Sequence, residues 1–190
     1  MKASVADPSP DRICQGDIVR DVEYIEHVTE ESGIIEVSQI VFPLVAVLTQ
    51  DCDLQQDFNC REAEPPPQRQ DTRLLSVLVA PLYNVEHFYL GEHLSDLGIK
   101  GESISRSKTP AKYLRSNQRP RFHYIGFPYG VPIVPSVVDF KHYFSVDVAY
   151  LRRIRESNLV YSLPPLVRED LCQRFSSFLA RIGLPGVNPE

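Results

Sequence analysis

A chain of 190 residues, 43% hydrophobic and 24% charged, carries enough apolar material for one compact domain with a full core, which excludes wholesale disorder and collagen-like or coiled-coil fibres. The net charge of -5, from 20 Lys and Arg against 25 Asp and Glu, excludes a generally basic nucleic-acid coat, so any such contact must use a local patch. The longest uninterrupted apolar run, 40 to 48, holds nine residues and contains Pro43, about half of what a bilayer needs, so no membrane span is expected.

The first residues contain one Lys and no apolar stretch of the secretory kind, and the expected location is cytoplasmic. Cys14, Cys52, Cys60 and Cys172 form no C-x-x-C pair and are expected as free thiols. Residues 16–25 place apolar groups at 18, 22 and 24, a strand with one wet face. Glu30 to Gly33 punctuate a turn, and 34–40 alternates as the second arm of a hairpin. The run 42–49 reads as a strand buried on both sides, with Pro43 tolerable at its start. Residues 55–72, with three consecutive prolines from Pro65, read as a polar, extended loop. Residues 74–82 repeat the buried-strand pattern.

From Asn84 to Arg121 the chain turns irregular, with helix-compatible pieces at 92–97 and 110–114, and reads as an insertion within one domain spanning 1–190. Residues 131–140 return to β character, bounded by prolines. The last segment places Val167, Leu171, Phe175, Phe178 and Ile182 on one helical stripe, with Gly183 and Pro185 as a stop. The expected architecture is mainly β with α, a small antiparallel barrel covered by a C-terminal amphipathic helix that docks through Leu171, Phe175 and Phe178.

Two polar clusters stand out. Thr49, Gln50, Asp51, Cys52 and Asp53 follow the most apolar strand, and such a set offers a nucleophile, a base or hard metal ligands, or alternatively the side-chain bonds of a structural turn. Acidic neighbours raise a thiol's pKa, which disfavours Cys52 as a thiolate nucleophile. Zinc is not expected, because Cys52, Cys60, His87, His93 and His123 lack paired ligand spacing. The second cluster is Arg106, Lys108, Lys112, Arg115, Arg119 and Arg121, six cations within sixteen residues free of Asp and Glu. Tyr113, Phe122, His123 and Tyr124 lie among or after them. Cations with interleaved aromatics suit phosphate contact and base stacking on single strands, while an acidic protein partner is the competing use.

Taken in order, several segments resemble the PemK/MazF toxin family. They are Gly16-Asp17-Ile18-Val19, Phe42-Pro43-Leu44-Val45-Ala46-Val47-Leu48, Ser76-Val77-Leu78-Val79-Ala80-Pro81-Leu82, Pro135-Ser136-Val137-Val138 and Ser145-Val146-Asp147-Val148-Ala149-Tyr150-Leu151. The resemblance implies an SH3-like barrel, a homodimer, an antitoxin partner, and metal-independent cleavage of single-stranded RNA with no cofactor. It assigns the catalytic hydroxyl to Ser76. Phe42 stands where the family has an arginine, so Arg73 or a cation of the insertion would have to supply the charge at the phosphate. The alternatives are metal-assisted hydrolysis through Asp51, Cys52 and Asp53, and a non-catalytic interaction module of a regulatory or defence system.

Overall fold

The computed structural model describes residues 11–106 and 109–181. Its centre is an antiparallel sheet of seven strands, β1 (Asp17–Glu31), β2 (Ile34–Val47), β3 (Ser76–Asn84), β4 (Phe122–Ile125), β5 (Ser136–Asp139), β6 (Phe144–Asp147) and β7 (Leu159–Ser162). The order across the sheet is β4-β5-β3-β2-β1-β7, with β6 also paired to β3. The mainly β with α class holds, but the sheet is open, which corrects the expected closed barrel. β3 divides its far edge between two partners, Ser76 to Val79 against β6 and Leu82 to Asn84 against β5, and the end strands β4 and β7 never meet.

Ser32 and Gly33 join β1 to β2 with φ of 55° and 81°. Two consecutive positive φ values make the tight hairpin turn whose twist matches paired strands, and Gly33 takes its share without strain. The two strands stay paired from Ile18↔Ala46 to Glu31↔Ile34. The separate arms expected at 34–40 and 42–49 are therefore one strand. Its inner end, Val45 to Val47, is buried on both faces, while the outer part of the hairpin projects as a two-stranded ribbon.

Among the described residues five α-helices surround the sheet: α1 (Asp51–Glu62), α2 (Val85–Leu90), α3 (Thr109–Arg115), α4 (Val148–Asn158) and α5 (Pro165–Leu179). Period-two alternation sends Ala46, Leu48, Ala80 and Leu82 to one face, where α5 covers them with Leu171, Cys172, Phe175 and Phe178. Phe140 meets Phe175 and Phe178 at ring distances of 5.6 and 5.7 Å. Val45, Val47, Val77 and Val79 point to the other face, under Leu54 of α1 and Val148 and Leu151 of α4. Asp147 caps α4 by accepting from the Tyr150 amide, so the segment resembling a helix start is a strand end turning into a helix. Ile182, Gly183 and Pro185 lie outside the described residues.

The loop expected over 55–72 is corrected in its first part, because α1 runs through Glu62. Few apolar residues hold it. The Asp57 carboxylate accepts from Arg61 Nε at 2.8 Å and from the Leu74 amide at 2.7 Å, and Arg61 donates onward to the Leu74 carbonyl. The insertion forms a third core, in which Tyr83, Val85, Phe88, Tyr89, Leu94, Ile104, Ala111 and Leu114 pack around Val137.

Candidate nucleic-acid interface

Ala111 and Leu114 are the buried anchors of α3, three residues apart, and their spacing turns Lys112, Tyr113 and Arg115 outward. Tyr89 of α2, only 2% exposed, organises the cations beside it. Arg115 donates Nε–H to the Tyr89 hydroxyl at 2.9 Å, and the guanidinium carbons of Arg115 and Arg106 each stand 5.7 Å from the Tyr89 ring centre. The hydroxyl bond raises the Arg115 pKa, so its charge is permanent, and its terminal N–H groups keep their donors. Arg106 is half neutralised by Glu86 at 2.8 Å. Arg119 is half-buried, and its carbonyl accepts from Arg174 Nη2 at 2.9 Å, which adds a cation from α5 to the same region. Exposed Lys112 and Arg115 beside the exposed Tyr113 form a positive face with one ring free to stack, and Arg119 follows four residues after Arg115.

Two members of the expected binding segment are removed from it. His123 is 1% exposed, and burial, with help from Arg174, pushes its imidazole down to about 3, so it is a neutral core residue. Arg121 grips the fully buried Asp139 with two bonds of 2.8 and 2.5 Å. Asp139 also accepts from the Lys141 amide at 3.0 Å, and its carboxylate lies 3.7 Å from His142 Nδ1. Tyr83 completes this network with its hydroxyl 3.0 Å from the same nitrogen. No local signal announces it, since its members come from positions 83, 121, 139 and 142. Lys108 lies outside the described residues.

The cluster after β2 is structural at two of its points. Thr49 Oγ1 accepts from the Leu78 amide at 2.7 Å and so extends the β2–β3 ladder. Asp51 takes both terminal nitrogens of Arg12, at 3.0 and 2.8 Å, and the Gln15 amide at 3.1 Å. Burial alone would push its carboxyl up, but these partners outweigh it and hold Asp51 below the usual range. Phe42 stacks on Phe144 at 5.1 Å with Tyr24 alongside, an aromatic corner with no room for the cation its position implied. Cys52 and Asp53 are exposed on the first turn of α1, with the thiol 3.6 Å from Gln50 Oε1 and from Asp53 Oδ1. All four cysteines are free. Among the described residues no group of three His, Cys, Asp or Glu side chains is placed to share a metal ion.

Ser76 is exposed at the first position of β3, and Arg73 is exposed three residues before it. The residue opposite Ser76 is Asp147, so a carboxylate rather than a cation sits across the strand pair. The structure leaves the Arg73 side chain without a hydrogen bond or ion pair among the described residues.

A mostly apolar cavity of about 330 Å³ lies between Ile40–Leu44 of β2, Pro81–Asn84 of β3 and the 87–97 segment. His93 enters its wall, tilted against Phe88 with ring centres 4.3 Å apart and lowered in pKa by burial. A wider cavity of about 950 Å³ collects Arg12, Arg152, Arg153 and Arg155, but three of these are neutralised, by Asp51, Glu62 and Asp17. No helix among the described residues is long and apolar enough to cross a membrane. No family model, curated protein or solved structure matches this chain.

Proposed function

We propose that this protein is a cytoplasmic single-stranded RNA-binding module of PemK/MazF-like descent that holds RNA on the α3 face without cutting it. The observation that supports this reading most is the outward pair Lys112 and Arg115 beside exposed Tyr113, with Arg115 buttressed from below by Tyr89 and half-buried Arg119 following. Unpaired bases offer a ring for Tyr113, and phosphates suit the guanidinium and ammonium donors. Against cleavage stands Asp147 opposite Ser76, since a carboxylate across the strand pair repels the phosphate. The Asp51, Cys52 and Asp53 alternative loses its best ligand to Arg12.

The test is binding of a fluorescent single-stranded RNA pool over a range of salt. Three phosphate contacts give a log-log slope of about -2 for single strands. Lys112→Glu with Arg115→Glu abolishes binding, while Tyr113→Ala weakens it and leaves the salt slope unchanged. The same RNA stays intact on prolonged incubation, with or without chelator. Chelator-resistant cleavage that disappears in Ser76→Ala would restore the toxin mechanism. Chelator-sensitive cleavage lost in the Asp51→Ala/Asp53→Ala variant would restore the metal-assisted one.

A further inference from the structure

The ribbon of β1 and β2 is chemically unlike the rest of the molecule. Beyond the aromatic corner of Tyr24, Phe42 and Phe144 neither an outer strand nor a helix lies over it among the described residues: β7 pairs with β1 at Asp17 to Val19, and β3 pairs with β2 at Val45 to Val47. At about 3.3 Å per residue the part from Val22 to Glu31 reaches about 30 Å. Its registers Val28↔Val37 and Glu30↔Ile35 bring Val28, Ile35 and Val37 to one face, and they are 56, 67 and 52% exposed. Ile34, on the opposite face, is 65% exposed. Isolated two-stranded ribbons are marginal in water, and so dense an apolar surface marks an interface.

Charge says what covers it. Glu23, Glu26, Glu30, Glu31 and Glu36 lie on the ribbon, with no Lys or Arg between 22 and 41. These five glutamates equal the whole formal excess of -5, so the remainder of the chain is balanced. Two ribbons side by side would repel. The complementary surface is the acid-free stretch 109–121, where Lys112 and Arg115 are exposed and Tyr113 is 44% exposed between them. One surface is acidic with apolar residues between its charges; the other is basic with an exposed aromatic ring between its cations.

We propose that the ribbon is a docking arm that seats on the α3 face of a second copy. Exchanged reciprocally about a two-fold axis, two such contacts close a dimer without leaving either surface exposed. Where that face also binds RNA, which rests on the preceding reading, the ribbon is a competitor carrying the sign of a phosphate chain, and self-association and RNA binding exclude each other.

Sedimentation of the full chain without RNA tests the docking. The wild type is dimeric at low salt and dissociates as salt rises. Glu30→Lys/Glu31→Lys/Glu36→Lys is monomeric alone, and so is Lys112→Glu/Arg115→Glu, with circular dichroism confirming that both remain folded. Mixing the two restores a one-to-one dimer, because each reversed ribbon then meets a reversed face. Ile35→Ser/Val37→Ser weakens the dimer without altering charge. A monomeric wild type at low salt, or reversed variants that fail to pair when mixed, overturns the proposal. In a separate arm, the ribbon-reversed variant binds RNA more tightly than the wild type at concentrations where the latter is dimeric. If charge-swapped pairing occurs while neither protein binds RNA, the docking stands and the RNA reading falls.

Discussion

Asp17 shows how one buried carboxylate can hold several elements together. It has no exposed surface, accepts from the Cys14 amide at 3.0 Å and Ser162 Oγ at 2.6 Å, and pairs with Arg155 Nε at 2.8 Å. The N-terminal segment, β7 and α4 thereby meet at one charge. Asp17→Ala removes the carboxylate that neutralises a buried guanidinium and costs roughly 3–5 kcal/mol, measurable by urea denaturation. His123 makes a prediction in pH. Its pKa falls to about 3 when folded from the ordinary imidazole value of 6.5, so between these values the unfolded chain binds the extra proton. Stability from this residue is full above about pH 6.5 and declines as pH falls, by about 2 kcal/mol at pH 5. His93 and His142, also lowered chiefly by burial, add in the same direction. Denaturation midpoints measured from pH 7 to 5 should fall steeply in the wild type and less steeply in His123→Phe. An equal slope in the two proteins would assign the acid sensitivity elsewhere. The sequence shows Asp17 and His123 only as a strand acid and a histidine near cations; their roles depend on partners up to 145 residues away.

Among the elements, α5 was the most legible, because an apolar stripe at helical spacing reports burial directly. Leu171, Phe175 and Phe178 are the residues that meet Phe140 and the sheet, as the spacing required. Phe175→Ala should cost about 3–5 kcal/mol and lower Tm by roughly 10 °C, seen by calorimetry. An unchanged midpoint would detach α5 from the core. α1 escaped the same reasoning for the opposite reason. Its only fully buried residues are Leu54, Asp57 and Cys60, and what positions it is the Asp57 carboxylate with Arg61 and Leu74. A helix held by a polar network leaves no apolar period to read. The hairpin was legible at its turn, where Ser32 and Gly33 supply positive φ, but not in its length, since alternation in the outer part looked like burial and faces water instead.

At the scale of the whole molecule, the amino-acid sequence alone determined that this chain folds mainly as β-sheet with a covering C-terminal helix, that buried strand segments fall within 42–49 and 74–82, and that six cations gather within 106–121. These follow from composition and local period, which act between near neighbours. Tertiary structure alone decided that the sheet stays open, because β3 shares its edge between β5 and β6. It also decided which cations face water. Arg121 is drawn to Asp139 and His123 into the core, while Lys112 and Arg115 remain outside, a sorting among residues of like chemistry that depends on what the fold brings opposite each of them. Phe42 was the plainest departure from the toxin pattern in the sequence, and packing against Phe144 and Tyr24 supplies its physical reason: an aromatic corner at the ribbon's base excludes a charged side chain that would lose its hydration there.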